Sequence, residues 1–145
     1  MILAIDDDPF RYQHLDRLLV GRIGPAPLLG VGTPHQSTVH RVTHALCPLC
    51  VAASLPKARA VLLDHDLGPA YCPCGATIDT KASGREFVPM VRASGLPVIV
   101  TSASSRENIR ALCDALAGHP YTQISAIEID PELKWIGWLW SRGVL

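Results

Sequence analysis

The stretch Ala60-Val-Leu-Leu-Asp-His-Asp-Leu-Gly68 is a continuous apolar run that ends abruptly in two carboxylates. Such a run is typical of a strand buried on both faces of a parallel sheet, here delivering Asp64 and Asp66 to a solvent-facing edge. In open parallel α/β sheets the reactive groups lie just beyond the carboxyl ends of the strands. We therefore expect a second acidic strand end beside this one.

The start of the chain supplies that second strand end. Met1-Ile-Leu-Ala-Ile-Asp-Asp-Asp8 is another short apolar run that closes on carboxylates. Two acidic strand ends on one edge would repel each other unless a cation lay between them, and oxygen ligands suit Mg²⁺ or Mn²⁺. We predict a metal site at Asp6, Asp7 and Asp64. The alternative is a helix N-cap at Asp8 followed by exposed loop acids.

The rest of the chain alternates short apolar strands with helical patterns. Helices are predicted from Asp8-Pro9, near Ser83-Gly84, over 106–117 and from Asp130-Pro131, and Pro89 predicts a kink or a late start in the second of these. In the last helix four apolar residues are predicted to cover the sheet: Leu133, Ile136, Trp138 and Trp140. The strands are predicted at 2–6, 27–32 (weak), 60–64, 96–101 and 123–129. This alternation predicts an α/β fold with a doubly wound, five-stranded parallel sheet.

Length and charge limit the function classes. The 145 residues fit one domain spanning 1–145, and 13 basic residues balance 13 acidic ones without any block of like charge. General nucleic-acid or membrane binding is therefore not indicated, and a small molecule or a protein is the expected partner. No run is apolar enough for a membrane span, and Met1 leads directly into a strand, so we expect a cytoplasmic protein.

Four of the five cysteines form two close pairs, Cys47-Pro-Leu-Cys50 and Cys72-Pro-Cys74. In a reducing compartment such pairs indicate metal ligands, and four thiolates match a tetrahedral structural zinc site. The second spacing is tighter than the common knuckle, and a histidine is an alternative to one thiol: His40 or His44. The pairs lie in Cys-rich insertions at about 34–50 and 68–80, and the second is long for a connection between strand and helix. If they share one metal, both loops must reach the same edge of the sheet. Cys113 is predicted to be a core residue of its helix.

Three strand ends carry a family resemblance: Asp6-Asp7, Leu62-Leu63-Asp64 and Val98-Ile-Val-Thr-Ser-Ala103. Over nearly its whole length the chain resembles a response-regulator receiver domain. The resemblance implies the strand order 2-1-3-4-5 and Mg²⁺ held by Asp6 or Asp7 with Asp64. It also implies a hydroxyl, at Ser102 or Thr101, placed to contact a phosphoryl group.

One receiver element is replaced. Where the resemblance implies a lysine before a proline at the end of the fifth strand, this chain has Asp130 before Pro131, and the nearest amine is Lys134. A stable aspartyl-phosphate switch would lack its positive group. The chain is then either an enzyme or a non-enzymatic, receiver-like signalling or protein-interaction module that binds a partner through its last helices and strand.

A narrower resemblance is to the cyclic-phosphate-processing receiver-like family, carried by Leu63-Asp64-His65-Asp66-Leu67-Gly68 and by Ser83-Gly84. The chain departs from that family at Thr101-Ser102-Ala103-Ser104, where His-Ser-x-Asn is usual. The resemblance implies processing of a phosphodiester or cyclic phosphate on a nucleotide-like substrate.

Roles follow for the remaining candidates. Asp66 is a further metal ligand or a base, and His65 is a general acid unless strand alternation turns it away from Asp64 into a structural role. Three residues are candidates for binding the phosphate ligand: Arg11, Ser83 and Gly84. Arg11 is otherwise a solvated arginine on the face of its helix.

Overall fold

Within the residues that the computed structural model describes, 1–8, 42–124 and 131–144, five parallel strands form one sheet. The strands are β1 (Ile2–Ile5), β2 (Val42–His44), β3 (Ala60–Leu63), β4 (Ala70–Tyr71), β5 (Thr77–Ile78), β6 (Val98–Val100) and β7 (Tyr121–Gln123). The sheet has the order β2-β1-β3-β6-β7, so the predicted fold class and the predicted order 2-1-3-4-5 are both confirmed. A separate two-stranded antiparallel hairpin joins β4 to β5.

The described helices begin where the sequence provides start signals. The helices are α1 (Pro48–Ser54), α2 (Val88–Ser94), α3 (Arg106–Ala115) and α4 (Pro131–Ser141). The helix α2 follows a 3₁₀ turn at Gly84–Phe87, so Pro89 falls in its first turn, where a missing N–H costs little. The late start predicted for this helix is confirmed. Ser105 accepts a hydrogen bond from the Asn108 N–H at 3.2 Å and caps α3. Among the described helices, none is both long and apolar enough to cross a membrane.

The sheet is buried on both faces, as the continuous apolar runs predicted. All four residues of β1 and all four of β3 are buried, and they alternate between two core clusters. The larger cluster packs the sheet against α1, α2 and α3: Leu3, Ile5, Val51, Leu55, Val61, Leu63, Val88, Val91, Val98, Val100, Leu112 and Leu116. The smaller cluster covers the opposite face: Ile2, Ala4, Val42, Ala60, Leu62, Ile99, Ile124, Leu139 and Val144.

Two strands differ from their predicted positions. The strand beside β1 is Val42–His44, which lies within the predicted Cys-rich insertion at about 34–50, whereas 27–32 lies outside the described residues. Only Val42 in this strand is buried, so its apolar signal is weak. The last described strand is Tyr121–Gln123, earlier than the predicted 123–129, of which 125–129 lies outside the described residues. All three residues of this strand keep some exposure, so an apolar run does not mark them.

The face of α4 that covers the sheet is centred on Leu139, which is fully buried. Ile136 and Trp138 pack partly against the same cluster, in agreement with the prediction. Trp140 is 65% exposed, so its predicted place in the core is wrong. One residue advances a helix by about 100°, which turns Trp140 away from the sheet when Leu139 faces it.

Candidate functional site

The acidic cluster is positioned by the register of the two central strands. Ile5 of β1 pairs with Leu63 of β3, and the Asp64 N–H donates to the Ile5 carbonyl at 2.9 Å. The next residue on each strand is therefore an aspartate at the same carboxyl edge. Carboxylate oxygens of Asp6, Asp7 and Asp64 lie within 4.8 Å of one another.

This cluster is largely removed from solvent. Asp6 is fully buried, Asp64 is 3% exposed and Asp7 is half-buried. Asp6 Oδ1 accepts the Asp8 N–H at 2.9 Å, and Asp64 Oδ1 accepts the His65 N–H at 2.6 Å. Carboxylates this close repel one another when ionised, and a cation between them removes the penalty.

The donor set suits a small divalent ion. Oxygen ligands at about 2.0–2.1 Å from one Mg²⁺ lie about 3 Å apart when cis and about 4.2 Å apart when trans, so these three oxygens, now within 4.8 Å of one another, would move closer together to share one ion. Carboxylate oxygens are also ligands that Mn²⁺ accepts. The residues present therefore fit the group that the receiver resemblance implies.

The next strand brings hydroxyl groups to the same edge. Val100 of β6 pairs with Leu63, and the Thr101 N–H donates to the Leu63 carbonyl at 3.1 Å. Ser102 follows, is buried, and accepts the Ser104 N–H on its Oγ at 3.2 Å. Thr101 and Ser102 thus follow a strand that neighbours the one ending in Asp64.

Beyond Asp64, His65 and Asp66 form a side-chain pair. His65 Nδ1 lies 2.7 Å from Asp66 Oδ1, with Asp66 59% exposed. Burial raises the pKa of Asp66, but hydrogen bonds from His65 and Ser104 and the attraction of the His65 charge outweigh burial, so the pKa lies below its usual value. Asp66 is therefore a carboxylate at neutral pH and holds the imidazole in place.

An open groove of about 850 Å³ begins at His65. Arg85 and Asn108 contribute polar groups to its walls, and neither was identified from the sequence. Arg92 is also present, but its Nη1 donates to the carbonyls of Ala115 and Ala117 at 3.3 and 2.7 Å and so ties α2 to the end of α3. The full lining is His65, Ser83, Arg85, Glu86, Val88, Pro89, Arg92, Asn108 and Ala115.

Ser83 and Gly84 pack directly on the acidic strand end. Ser83 pairs with Asp66 in an isolated β-bridge, and the Gly84 N–H donates to the His65 carbonyl at 2.8 Å. A Cβ added at Gly84 would overlap the carbonyl oxygen of Asp64. Gly84 therefore has a packing role here, because only glycine lets the two backbones approach so closely. Ser83 lines the groove, and its Oγ accepts the Arg85 N–H at 3.3 Å.

Ser104 stands where the cyclic-phosphate family usually has asparagine. Its Oγ accepts a hydrogen bond from Asn108 Nδ2 at 2.8 Å, and it also hydrogen-bonds Asp66. An asparagine amide therefore reaches the site from the first turn of α3. No helical spacing marks this contact in the sequence, because Ser104 lies before the N-cap Ser105 and outside α3.

Some candidates lie outside the described residues, among them Arg11, His40 and Asp130. Lys134 is described and is exposed on α4. Cys113, predicted to lie in the core, is half-buried on α3, and its Sγ lies 3.7 Å from Gln123 Oε1.

The four paired cysteines also converge. Their sulfur atoms lie within 4.8 Å of one another, and Cys47 Sγ is 3.6 Å from Cys74 Sγ. Because β2 runs parallel to β1, Cys47 follows it at the carboxyl edge, the edge from which the loop after β3 also leaves. The two loops therefore share an edge, as a common metal requires. Among the described residues, His44 is not part of this group.

The chain matches no protein-family model and no curated protein sequence. It is similar in structure to a receiver domain protein from Methanospirillum hungatei, at 17% identity and TM-score 0.57, covering 97% of this chain and 93% of that one. A Francisella response-regulator receiver domain matches at 15% identity and TM-score 0.58, covering 98% and 97%. The phosphorylated cyanobacterial phytochrome response regulator RcpA matches at 17% identity and TM-score 0.55, covering 99% and 95%. The chain therefore has the fold of response-regulator receiver domains.

Proposed function

We propose that this chain hydrolyses a phosphoester, most specifically a cyclic phosphate, on a small nucleotide-like molecule, with Mg²⁺ or Mn²⁺ held by Asp6, Asp7 and Asp64. The observation that carries the proposal is the convergence of these three carboxylates within 4.8 Å at the sheet edge. A divalent ion bound there would polarise the phosphate and lower the pKa of a bound water. The resemblance of 63–68 to the cyclic-phosphate-processing family supports the substrate class by analogy.

The groove that begins at His65, the residue after Asp64, suits a ligand of this size, and the three aspartates lie outside its lining. Its volume of about 850 Å³ lies within the range of small-molecule sites, roughly 300–1,000 Å³. Arg85 would supply a positive charge for a phosphate oxygen, while Ser83 and Asn108 would supply a hydroxyl and an amide. Ser102 and Thr101, at the end of β6, are the proposed hydroxyl contacts of the reacting phosphoryl group.

Proton transfer is assigned to the His65–Asp66 pair. Asp66 holds Nδ1 of the ring at 2.7 Å, which leaves Nε2 to exchange a proton with a ligand in the groove. In hydrolysis, a water oxygen forms a bond to phosphorus as the ester P–O bond breaks. His65 would give the proton on Nε2 to the leaving oxygen, and the proton lost by the attacking water would reprotonate Nε2. Asp66 acts here as a positioning residue.

The test is a panel of 2′,3′-cyclic nucleotides, cyclic dinucleotides and ADP-ribose phosphates incubated with Mg²⁺ or Mn²⁺. We expect at least one compound to be cleaved, and Asp64→Asn or a chelator to reduce the rate by at least about 100-fold. Asp114→Asn is the matched control, because Asp114 is exposed near the far end of α3. The proposed hydrolase function is wrong if Asp64→Asn cleaves as fast as the wild type, or if no compound in the panel is cleaved.

A second candidate is a receiver-like signalling module that binds a protein partner. The receiver fold favours it, as does Trp140, a large apolar side chain left 65% exposed on α4. Incubation with acetyl phosphate separates the two candidates. A long-lived phosphoprotein at Asp64 in the intact mass spectrum would favour the module. If the chain is a hydrolase, we expect no long-lived phosphoprotein, because Asp130 replaces the lysine that the receiver resemblance implies beside the phosphoryl group.

A further inference from the structure

Outside the acidic site, the structure contains a second group of ligands, in which each sulfur comes from one of two loops. We infer that Cys47, Cys50, Cys72 and Cys74 form a four-thiolate zinc site that fastens the β4–β5 hairpin to the start of α1. The inference does not rest on the proposed hydrolysis, since it concerns metal content and the order of one loop.

The β4–β5 hairpin is short, and its tip is exposed. Its strands contain two residues each, and an isolated two-stranded hairpin is marginal in water even when it is longer. Within 70–78, Cys72 and Ile78 are buried and two alanines, Ala70 and Ala76, pack partly against the same core. The tip itself, 73–75, is exposed, so a cross-link at Cys72 and Cys74 would add an attachment there.

The backbone around the sulfurs is arranged as in a metal-binding turn. The Cys72 N–H donates to the Ala76 carbonyl and the Gly75 N–H donates to the Cys72 carbonyl, both at 2.8 Å. Gly75 has φ +90°, which glycine adopts readily. The turn thereby presents Cys72 and Cys74 to the other loop. Across the gap, Cys72 Sγ accepts N–H groups of Leu46 and Cys47 at 3.5 and 3.4 Å, bonds that favour a thiolate.

The sulfur distances fit a shared metal and not a disulfide. Cys47 Sγ and Cys74 Sγ are 3.6 Å apart, whereas a disulfide bond is about 2.0 Å long. Four sulfurs at about 2.3 Å from one zinc ion would lie about 3.8 Å from each other. All four sulfurs already fall within 4.8 Å of one another, and all five cysteines of the chain are free thiols.

Zinc is the metal that this donor set fits as a closed structural site. Four thiolates fill a tetrahedron and leave no position for water or substrate, in contrast to the three-ligand sites of catalytic zinc. The base of the same loop is held independently, since the Leu67 N–H donates to the Ala82 carbonyl at 3.1 Å and a Cβ at Gly68 would overlap the Asp79 carbonyl. Zinc removal should therefore release the hairpin, 70–78, and leave the base in place.

Elemental analysis of the full-length protein purified under reducing conditions tests the site. We expect one zinc per chain in the wild type and in Cys113→Ser, the matched control outside the cluster. Loss of groups that merely support a ligand weakens metal affinity about 10–100-fold. Cys74→Ser, which removes an exposed ligand at little packing cost, should therefore weaken zinc affinity at least about 100-fold in a chelator competition.

Hydrogen exchange with and without zinc supplies the second measurement. We expect exchange to rise at least about tenfold over 70–78 on zinc removal, while the amides of Leu67 and Gly84 stay protected. Iron in place of zinc, a protein that binds no zinc when supplied with it, or a Cys74→Ser variant with wild-type affinity would each overturn the inference. None of these outcomes depends on turnover, so they are distinct from failure of the hydrolase.

Discussion

The two ligand clusters of this molecule are built in opposite ways. The aspartates follow the central strands β1 and β3, whose residues are all buried, so the sheet holds them together whether or not a cation is bound. Two of the cysteines lie on a short hairpin whose tip, 73–75, is exposed, and the other two lie at the start of α1. In the first cluster the sheet positions the candidate ligands, whereas in the second the metal would hold the hairpin tip in place.

This difference predicts opposite stability effects. Cys74→Ser, or zinc removal, should lower the melting temperature, and a loss of about 2 kcal/mol corresponds to roughly 6 °C for a chain of this size. Asp64→Asn should leave the melting temperature of the Mg²⁺-free protein unchanged or raise it, because the substitution removes one of three mutually repelling carboxylates. Differential scanning calorimetry of the two variants decides the point. Equal decreases in melting temperature for Cys74→Ser and Asp64→Asn would show that the two clusters do not differ in this way.

Gly84→Ala probes how strongly the acidic cluster depends on backbone packing. The added methyl group must displace the Asp64 carbonyl, and overpacking of this kind costs about 1–3 kcal/mol. Urea unfolding measures the loss. Gly137→Ala is the control, since a Cβ there meets nothing within 4 Å and alanine in a helix is favoured over glycine by about 0.8–1 kcal/mol. A Gly84→Ala protein as stable as the wild type would contradict the close approach.

The smallest expected effect is at Asp66. Its pKa is lower in the folded state than the usual 3.8, so its pairing stabilises the protein above about pH 4 and the contribution is lost as pH falls through the folded-state value. Because Asp66 is 59% exposed, we expect Asp66→Asn to cost less than about 1 kcal/mol at pH 7. The difference in melting temperature between the two proteins should be smaller at pH 3 than at pH 7. A difference as large at pH 3 as at pH 7 would show that the charge of Asp66 is not the cause.

The same contrast explains what the sequence could predict. The runs Ile2–Ile5 and Ala60–Leu63 are continuous and apolar, so the central strands and the acids that follow them were found directly. Val42–His44 was missed because it is short and only partly buried, and pairing with β1 makes it a strand. Trp140 was misplaced because apolar content alone does not say which side of a helix faces the sheet.

The groove was less accessible to such reasoning. Arg85 and Asn108 line it because a 3₁₀ turn and a capped helix begin beside His65, and no spacing in the sequence joins these three residues. Gly84 was recognised by resemblance, but its cause, the crossing of the Asp64 backbone, is a tertiary contact. Local patterns identified the two clusters of candidate ligands, whereas long-range packing determines the surroundings of each cluster.

The central claim is that Asp6, Asp7 and Asp64 form a divalent-cation site separate from the cysteines. Electron paramagnetic resonance of free Mn²⁺, titrated with zinc-loaded protein, measures that binding directly. We expect one Mn²⁺ per chain in the wild type and in Asp114→Asn. Mutation of a group that only hydrogen-bonds a metal ligand weakens metal affinity about 10–100-fold, so loss of a ligand itself in Asp64→Asn should weaken Mn²⁺ affinity at least about 100-fold. Equal Mn²⁺ affinity in Asp64→Asn and the wild type would contradict the account.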